Sequence, residues 1–337
     1  MVNNNEVSLS VIMPMYNATT TIKRCLEPLL AMLESGKVEE IIIVDDCSTD
    51  DSPEIVRALP VKVLKTSGQG GPGAARNLAA QEAKGSVLWF VDSDVIVNAD
   101  ASQHVTKGFA DPAVVAVFGS YDDEPGDKGF LSQYKNLVHR YYHQRGRSEA
   151  STFWAGCGAV RRDIFLELGG FDTVRYPYPS IEDIELGERI VLSGARISLL
   201  PELQGKHLKK WKLVNLVHTE IFRRAIPWSR LMIARGELTD DLNVSASERL
   251  RAVAAGVFVL VFLAAIAGWL SWIAVPVILT ILVALNVDFL RFFIHQRGPR
   301  FALGAFGYHQ FYYLYSMAAF TYAWSEHRLK SMNKKAE

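Results

Sequence analysis

The sequence predicts an α/β domain with a mostly parallel sheet and helices on both faces, followed by an α-helical membrane region. The first observation is that short apolar runs alternate with amphipathic stretches over the first hundred residues. This alternation of strand and helix is typical of a mostly parallel sheet. The second observation is the 34-residue stretch 252–285, which has no charged side chain. One membrane span needs only about 20 apolar residues, so this stretch predicts a helical hairpin.

The predicted elements of the first domain follow one another without long gaps. Residues 8–16 read as a strand because they are an apolar run, and Asn17 with the threonines after it predicts a turn and helix cap. The alternation continues up to residue 97. The predicted strands are 8–16, 39–45, 61–66 and 87–97, and the predicted helices are 21–35, 52–59 and the stretch after the glycine-rich loop at 67–73.

Net charge, cysteine content and the N-terminal stretch indicate which partners and which cellular compartment to expect. The chain of 337 residues has a formal net charge of zero, which gives no indication of a nucleic-acid partner. Its three cysteines, Cys25, Cys47 and Cys157, lack paired spacing and therefore indicate free thiols in a reducing compartment. The N-terminal stretch is polar and has no apolar core typical of a signal peptide. We expect the first domain to lie in the cytosol.

Polar side chains gather just after the predicted strands or in the loops that follow them. In open α/β sheets, ligands bind beyond the carboxyl ends of the strands. The glycine-rich loop either permits a tight turn or lets the backbone approach phosphates near the start of a helix. The residues concerned are Tyr16, Asp45, Asp46, Arg76, Asp92 and Asp94.

Asp92 and Asp94 interrupt the apolar run 87–97 with a D-x-D pattern. Carboxylates in apolar surroundings are costly unless they meet a cation. Two of them at a strand end can share a hard divalent metal such as Mg²⁺ or Mn²⁺. The alternative is an ordinary solvated turn, which the pattern alone does not exclude.

Four segments together resemble the N-terminal half of family 2 glycosyltransferases with the GT-A fold. They are PMYN (14–17), VDDCSTD (44–50), GPGAARN (71–77) and VDSD (91–94). The resemblance implies that a nucleotide-sugar donor binds here, with Arg76 near the donor, Asp92 serving both sugar and metal, and Asp94 serving the metal. The residues that it implies in contact with the nucleoside are Pro14, Tyr16, Asn17, Asp45 and Asp46.

The resemblance continues in 153–172 and 180–190, which look like the acceptor-side segments of the family. It implies that Asp183, beside Glu182, is the general base that deprotonates an acceptor hydroxyl. The alternative is that both carboxylates only stabilise a helix start through the macrodipole. His207 is either a structural histidine or a third metal ligand, and imidazole suits Mn²⁺ better than Mg²⁺.

The chain is predicted to divide into a catalytic domain (1–205), basic amphipathic interfacial helices (206–248) and a membrane region (249–337). The interfacial helix is expected to be interrupted near Pro227. The membrane region comprises a hairpin at about 252–293 and a third apolar segment, 301–324, which we interpret as interfacial or re-entrant. Basic residues at both ends of the hairpin place them, with the catalytic domain, in the cytosol of a bacterial inner membrane.

The combined interpretation is an inverting, metal-dependent glycosyltransferase that moves one sugar, from a UDP-linked donor, to a membrane lipid or lipid-linked acceptor. Alternatives are a polyprenyl-phosphate glycosyltransferase, a polysaccharide-assembly glycosyltransferase, a nucleotidyltransferase and a non-catalytic membrane scaffold. Processive polymerisation is not supported, because RRAIPW (223–228) lacks the glutamine and the spacing of the processive motif. The sequence leaves a homo-oligomer open.

Overall fold

A computed structural model of the protein describes residues 7–336, and the chain divides into two compact units, Met1–Trp211 and Lys212–Glu337. The division falls six residues after the predicted end of the catalytic domain at residue 205. The polar N-terminal stretch, on which the expectation of no signal peptide depends, lies in part outside the described residues, at 1–6.

The first unit is an α/β domain built on one nine-stranded sheet. Its strands are β1 (Leu9–Met15), β2 (Glu40–Asp45), β3 (Lys62–Lys65), β4 (Val87–Val91), β5 (Val95–Val97), β6 (Val114–Tyr121), β7 (Glu149–Ala150), β8 (Cys157–Arg161) and β9 (Arg196–His207). Its helices are α1 (Ile22–Glu34), α2 (Ser52–Arg57), α3 (Gly71–Glu82), α4 (Ala101–Gly108), α5 (Phe130–His143), α6 (Arg162–Glu167) and α7 (Glu182–Leu192). The predicted α/β class is confirmed.

The sheet has the order β3-β2-β1-β4-β8-β6-β9-β5, and β7 pairs with β9. The strands β3, β2, β1 and β4 run parallel, as predicted, and so do β6 and β9. The strand β8 is antiparallel to both β4 and β6, and therefore makes the sheet mixed. All four strands of the parallel half end at one edge, which places the loops after β1, β2, β3 and β4 side by side.

Both faces of the sheet are covered at its central strand β4, which is apolar and buried at every position. In β4, Trp89 packs in the same core as α1, whereas Phe90 points the other way. Phe90 contacts the rings of Phe165 on α6 and Phe171 after it, at centroid distances of 5.4 Å each. A strand that is buried on both sides is typical of the parallel sheets of α/β proteins.

The predicted strand 87–97 is two strands, and this corrects the expectation of one continuous run. After β4 the chain turns at Asp92, whose carbonyl accepts a hydrogen bond from the amide of Val95 (3.0 Å). The segment β5 then pairs antiparallel with β9, with Val95 opposite His207. The D-x-D pattern therefore occupies a turn between strands, where its carboxylates avoid the apolar core.

The second unit is α-helical. It contains α8 (Leu213–His218), a π-helical turn (Thr219–Ala225), α9 (Ile226–Arg235), a 3₁₀ turn (Leu242–Val244), α10 (Ala246–Ile266), α11 (Ala274–Leu285), α12 (Val287–Arg297) and α13 (Pro299–Ala336). Near Pro227, where an interruption of the helix was expected, the π-helical turn continues directly into α9. The wider π-helical turn directly before α9 accommodates a proline, which lacks an N–H and crowds the preceding turn.

The predicted hairpin is present, with a turn at 267–273 that contains Gly268 in a left-handed conformation (φ 75°). By length and composition, α10 could cross a membrane. The segments α11 and α12 could do so only together, as a pair bent by 68° at Asn286. The third apolar segment forms the first part of the long helix α13, and its position relative to a membrane stays a prediction.

Gly119 lies where β9 passes closest to β6, and its substitution tests this packing. A Cβ atom at Gly119 would overlap the carbonyl oxygen of Leu203, a backbone atom of β9 at the point where the register of β6 and β9 shifts. We expect Gly119→Ala to lower the free energy of unfolding by about 1–3 kcal/mol or more, because overpacking forces the strands apart. Thermal unfolding of the detergent-solubilised chain measures the change. Gly68→Ala is the control, since a Cβ there meets no atom within 4 Å; equal losses for both variants would contradict the prediction.

Candidate active site

Asp94 and His207 lie together at the carboxyl edge of the sheet. The pairing of β5 with β9 brings Asp94 Oδ2 to 3.6 Å from His207 Nε2. The carbonyl of Asp94 also accepts a hydrogen bond from the amide of Leu208 (2.8 Å). Residues more than one hundred positions apart in the chain thus form a carboxylate–imidazole pair, which is a donor set for a divalent cation.

Arg76 is buried between two carboxylates. Its guanidinium donates to Asp92 Oδ1 (2.6 Å) and to Glu182 Oε1 (3.4 Å), and it also lies over the ring of Phe171 at 5.4 Å. The arginine comes from α3, Asp92 from the turn after β4, and Glu182 from the first turn of α7. A buried charge is tolerated when opposite charges and hydrogen bonds compensate it. This ion network therefore holds three segments in register at the site.

The carboxyl of Glu182 has an unusual proton affinity. Burial, together with the neighbouring charge of Asp183, raises the pKa of Glu182 to about 7 although Arg76 opposes the shift. Its second oxygen accepts a hydrogen bond from the amide of Ser180 (2.8 Å). Glu182 consequently exchanges a proton near neutral pH while its position is held from two sides.

Asp183 follows Glu182 in the first turn of α7 and is half-buried. Its Oδ1 accepts a hydrogen bond from the amide of Ile184 (2.9 Å), and its Oδ2 accepts one from the amide of Ala155 (3.1 Å). Amide donors stabilise the ionised form of a carboxylate. The two amides fix the position of the Asp183 carboxylate at the start of α7.

The residues expected at the nucleoside occupy the loops after β1 and β2. Tyr16 is 47 % exposed, and Asn17 has a left-handed backbone (φ 50°) and accepts a hydrogen bond from the amide of Thr49 (2.8 Å). Asp45 is buried and accepts from the amide of Ser48 (2.9 Å). These contacts join the two loops, and they leave the ring of Tyr16 as an exposed surface for a base.

Asp46 and Pro14 lie at the same edge of the sheet, and both make contacts within the protein. Both carboxylate oxygens of Asp46 accept hydrogen bonds from the glycine-rich loop, at the amides of Gly70 (2.9 Å) and Gly71 (2.8 Å). Pro14 is buried within β1, opposite Val44 in the sheet. Asp46 therefore shapes the loop before α3, and Pro14 supports the strand end.

The predicted metal ligands are only partly brought together. Among residues 7–336, no three histidine, cysteine, aspartate or glutamate side chains converge on one point that could hold a metal ion. Asp94 and His207 are adjacent, whereas Asp92 is held by Arg76. A divalent cation bound through one or two protein ligands takes its remaining ligands from substrate phosphates and water. The Asp94–His207 pair fits this type of site.

The three cysteines are free, as predicted. Burial raises the pKa of Cys25 and of Cys157 to about 12, so that both remain protonated and unreactive at neutral pH. The thiol of Cys25 donates to the carbonyl of Ser93 (3.3 Å), in the middle of the D-x-D turn. Cys25 thereby supports the turn from the side of α1.

Two aromatic residues at the site, Tyr121 and Trp154, were not predicted from the sequence. Tyr121, the last residue of β6, stacks on the ring of His207 with a centroid distance of 4.4 Å and an interplanar angle of 8°. Trp154 packs edge-on against Tyr121 at 4.8 Å and directly precedes Ala155, the donor to Asp183. The position of Tyr121 at a strand end was a usable signal, but the pairing of β6 with β9 was not visible in the sequence.

The buried ion network predicts a large stability cost when Arg76 is replaced. Arg76→Met should lower the free energy of unfolding by about 3–5 kcal/mol, because the buried Glu182 and the half-buried Asp92 would lose the charge that compensates them. Arg57→Met is the matched control, since its ion pair with Glu54 lies on the surface, where such pairs contribute about 0–1 kcal/mol. Thermal unfolding compares the two. A small, equal effect in both would show that the network does not hold the site together.

The raised pKa of Glu182 predicts a pH-dependent stability difference. As the pH rises from the ordinary value of 4.5 to about 7, the unfolded chain loses this proton before the folded protein does. The resulting cost to the folded state is absent below pH 4.5 and complete above about pH 7. The unfolding temperature of Glu182→Gln, relative to the unsubstituted protein, should therefore increase between pH 5 and pH 8. Glu167→Gln, at the surface of α6, should show no such trend; a flat difference for Glu182→Gln would refute the assignment.

Comparison with known proteins identifies the domain that carries this site. The family model described as "Glycosyl transferase family 2" matches residues 10–169. An uncharacterised protein of Mycobacterium tuberculosis, MT1568, is 28 % identical over 212 residues, which cover 58 % of this chain and 65 % of that protein. The poly(ribitol-phosphate) β-N-acetylglucosaminyltransferase TarS of Staphylococcus aureus is 36 % identical over 124 residues, which cover 34 % of this chain and 21 % of TarS. The chain thus spans less than two thirds of the length of these relatives.

Among solved structures, the mannosyltransferase PcManGT from Pyrobaculum calidifontis, in complex with GDP-Man and Mn²⁺, matches with a TM-score of 0.57 and 20 % identity. The match covers 89 % of this chain and 86 % of that one. Since residues 1–211 are less than two thirds of the chain, the likeness of fold extends into the helical second unit. Together with the site geometry, these matches show that residues 10–169 form a family 2 glycosyltransferase domain, within a unit of the GT-A fold.

Proposed function

We propose that the protein is an inverting, metal-dependent glycosyltransferase that transfers one sugar from a nucleotide sugar to a membrane lipid or lipid-linked acceptor at the cytoplasmic leaflet. The observation that carries this proposal is the meeting of two kinds of group at one edge of the sheet. Asp94 pairs with His207, Asp183 lies in the first turn of α7, and Arg76 joins these two segments through its contacts with Asp92 and Glu182.

On the donor side, Asp94 and His207 would hold a divalent cation, which when bound neutralises the charge of the diphosphate leaving group. Arg76 donates to Asp92 and to Glu182, and we assign it the orientation of Asp92 toward the donor sugar. The exposed ring of Tyr16 and the loop around Asn17 would receive the nucleoside. The resemblance favours a UDP-linked donor.

On the acceptor side, Asp183 would accept the proton of the attacking hydroxyl as the new glycosidic bond forms. The oxygen would attack the anomeric carbon on the face opposite the leaving diphosphate, which inverts that carbon. The amides of Ala155 and Ile184 hold the carboxylate in place before the reaction. Positioned bases of this type contribute about 10²–10⁴ to the rate.

The second unit supports a membrane-bound acceptor. The surface of α10 is apolar: Leu260 is 68 % exposed and Ile266 is 59 % exposed, as expected for a helix whose surroundings are lipid. Basic residues lie at both ends of the segment 252–293, so the positive-inside rule places these ends in the cytosol. We therefore propose an integral protein of a bacterial inner membrane.

A polymer acceptor is the second candidate, because the name of TarS assigns it a poly(ribitol-phosphate) acceptor and the two chains are 36 % identical over 124 residues. In this case the second unit would anchor the enzyme beside a growing envelope polymer. A polyprenyl-phosphate acceptor is the third. Its phosphate oxygen is already ionised and scarcely needs a base, so that Asp183 would be dispensable.

The test is the release of nucleoside diphosphate by detergent-solubilised protein from UDP-, GDP- and dTDP-sugars with Mn²⁺ or Mg²⁺. Each donor is offered with total membrane lipid, with poly(ribitol phosphate) or with no acceptor. With lipid, we expect release from one donor, loss of release in Asp94→Ala, and a fall in kcat of about 10²–10⁴ in Asp183→Asn.

Asp163→Asn is the matched control. Asp163 occupies the same position in the first turn of α6, and its Oδ1 accepts a hydrogen bond from the amide of Ile164 (2.8 Å), but its side chain is exposed. Its replacement should leave kcat unchanged. Full activity of Asp183→Asn with lipid would indicate a phosphate acceptor, and transfer to the polymer alone would reject the lipid acceptor.

A further inference from the structure

A column of rings extends from the proposed metal site into the domain. The ring of Tyr121 lies between His207, at 4.4 Å and an angle of 8°, and His139, at 4.3 Å and 41°. His139 in turn lies 3.7 Å from His143, the next histidine of α5. Three elements, β9, β6 and α5, therefore contribute to one stack that ends at the imidazole next to Asp94.

The inner end of this column is rigid. His143 is buried, and its Nδ1 lies 2.8 Å from the carbonyl oxygen of Gly119, to which it donates. Burial lowers the pKa of His143 to about 4, so that the ring is neutral at physiological pH. A neutral, hydrogen-bonded imidazole is a fixed support for the rings stacked on it.

The outer ring of the column, that of His207, could adopt several orientations if Tyr121 did not stack on it. An imidazole can rotate about its broad terminal side-chain torsion, and only some orientations direct Nε2 toward Asp94. The ring of Tyr121 is nearly parallel to that of His207 at a centroid distance of 4.4 Å. It limits this rotation, because turning the imidazole would bring its edge into the face of Tyr121.

We propose that Tyr121 is a positioning residue for the divalent cation: it holds the plane of the His207 ring so that Nε2 and Asp94 Oδ2 face a common ligand. This inference rests on the proposed function, in which Asp94 and His207 bind the metal. The residue acts through its ring face, and the phenolic hydroxyl is not required.

The experiment is a titration of the full detergent-solubilised chain with Mn²⁺, alone and with UDP, followed by the loss of the electron paramagnetic resonance signal of the free ion. Tyr121→Phe keeps the ring and should retain the Mn²⁺ affinity within about twofold. Tyr121→Leu removes the stacked face and should weaken the affinity by about 10–100-fold, the range found when groups that orient metal ligands are lost.

Tyr142→Leu is the matched control, because Tyr142 is as buried as Tyr121, at 8 % exposure each, and its ring packs on Tyr141. It should leave the Mn²⁺ affinity unchanged even if it lowers the unfolding temperature. If Tyr121→Leu does not fold, His139→Leu removes the support behind the tyrosine ring and should weaken Mn²⁺ binding in the same direction.

Equal Mn²⁺ affinities for Tyr121→Leu and the unsubstituted protein would overturn the inference, provided that Asp94→Ala and His207→Ala still abolish binding. A loss in Tyr121→Phe as large as that in Tyr121→Leu would also overturn it, since the ring face would then not be the acting group. If Asp94→Ala and His207→Ala bind Mn²⁺ normally, the metal site itself is wrong, and the proposed function fails with it.

Discussion

The buried guanidinium of Arg76 is the interaction on which the geometry of the site depends. It lies between Asp92, in the turn that follows the parallel half of the sheet, and Glu182, at the start of α7. Arg76 and Glu182 are buried and Asp92 is half-buried, and the two carboxylates compensate the buried charge of the arginine. Asp94 and Asp183 are near neighbours of this network along the chain. Arg76 therefore connects the turn that carries Asp94 with the helix start that carries Asp183.

The aromatic cluster around Tyr121 connects the same two sides by a second route. Tyr121 contacts His207 through its face and Trp154 through an edge-on contact, and the residue after Trp154 donates its amide to Asp183. The ion network depends on charge and the ring cluster on shape and close packing. Two supports of different physical origin therefore act on the positions of the Asp94–His207 pair and of Asp183.

The two units differ in the surfaces that they expose. The first presents a polar sheet edge, where a charged nucleotide sugar could bind from water. The second exposes leucine, isoleucine and tryptophan side chains along α10 and the following turn. Its long helix α13 buries His309, which stacks on Phe289 at 4.4 Å. Buried polar groups inside a helical unit with an apolar exterior are typical of proteins that lie in or against a bilayer.

Local sequence determined the α/β class, the free thiols, the helical hairpin and the acidic start of α7, since each depends on contacts within a few turns or on a strong apolar period. Only the tertiary structure decided which side chain each carboxylate contacts. Asp92 and Asp94 are equivalent in a D-x-D pattern, yet the turn after β4 directs Asp92 to Arg76 and Asp94 to His207. The reversal of direction in the second half of the sheet, which places β9 beside both β5 and β6, depends on pairings between residues far apart in the chain, such as Val95 with His207 and Val114 with Arg196. Such pairings arise from the packing of the whole domain, and no local pattern of residues encodes them.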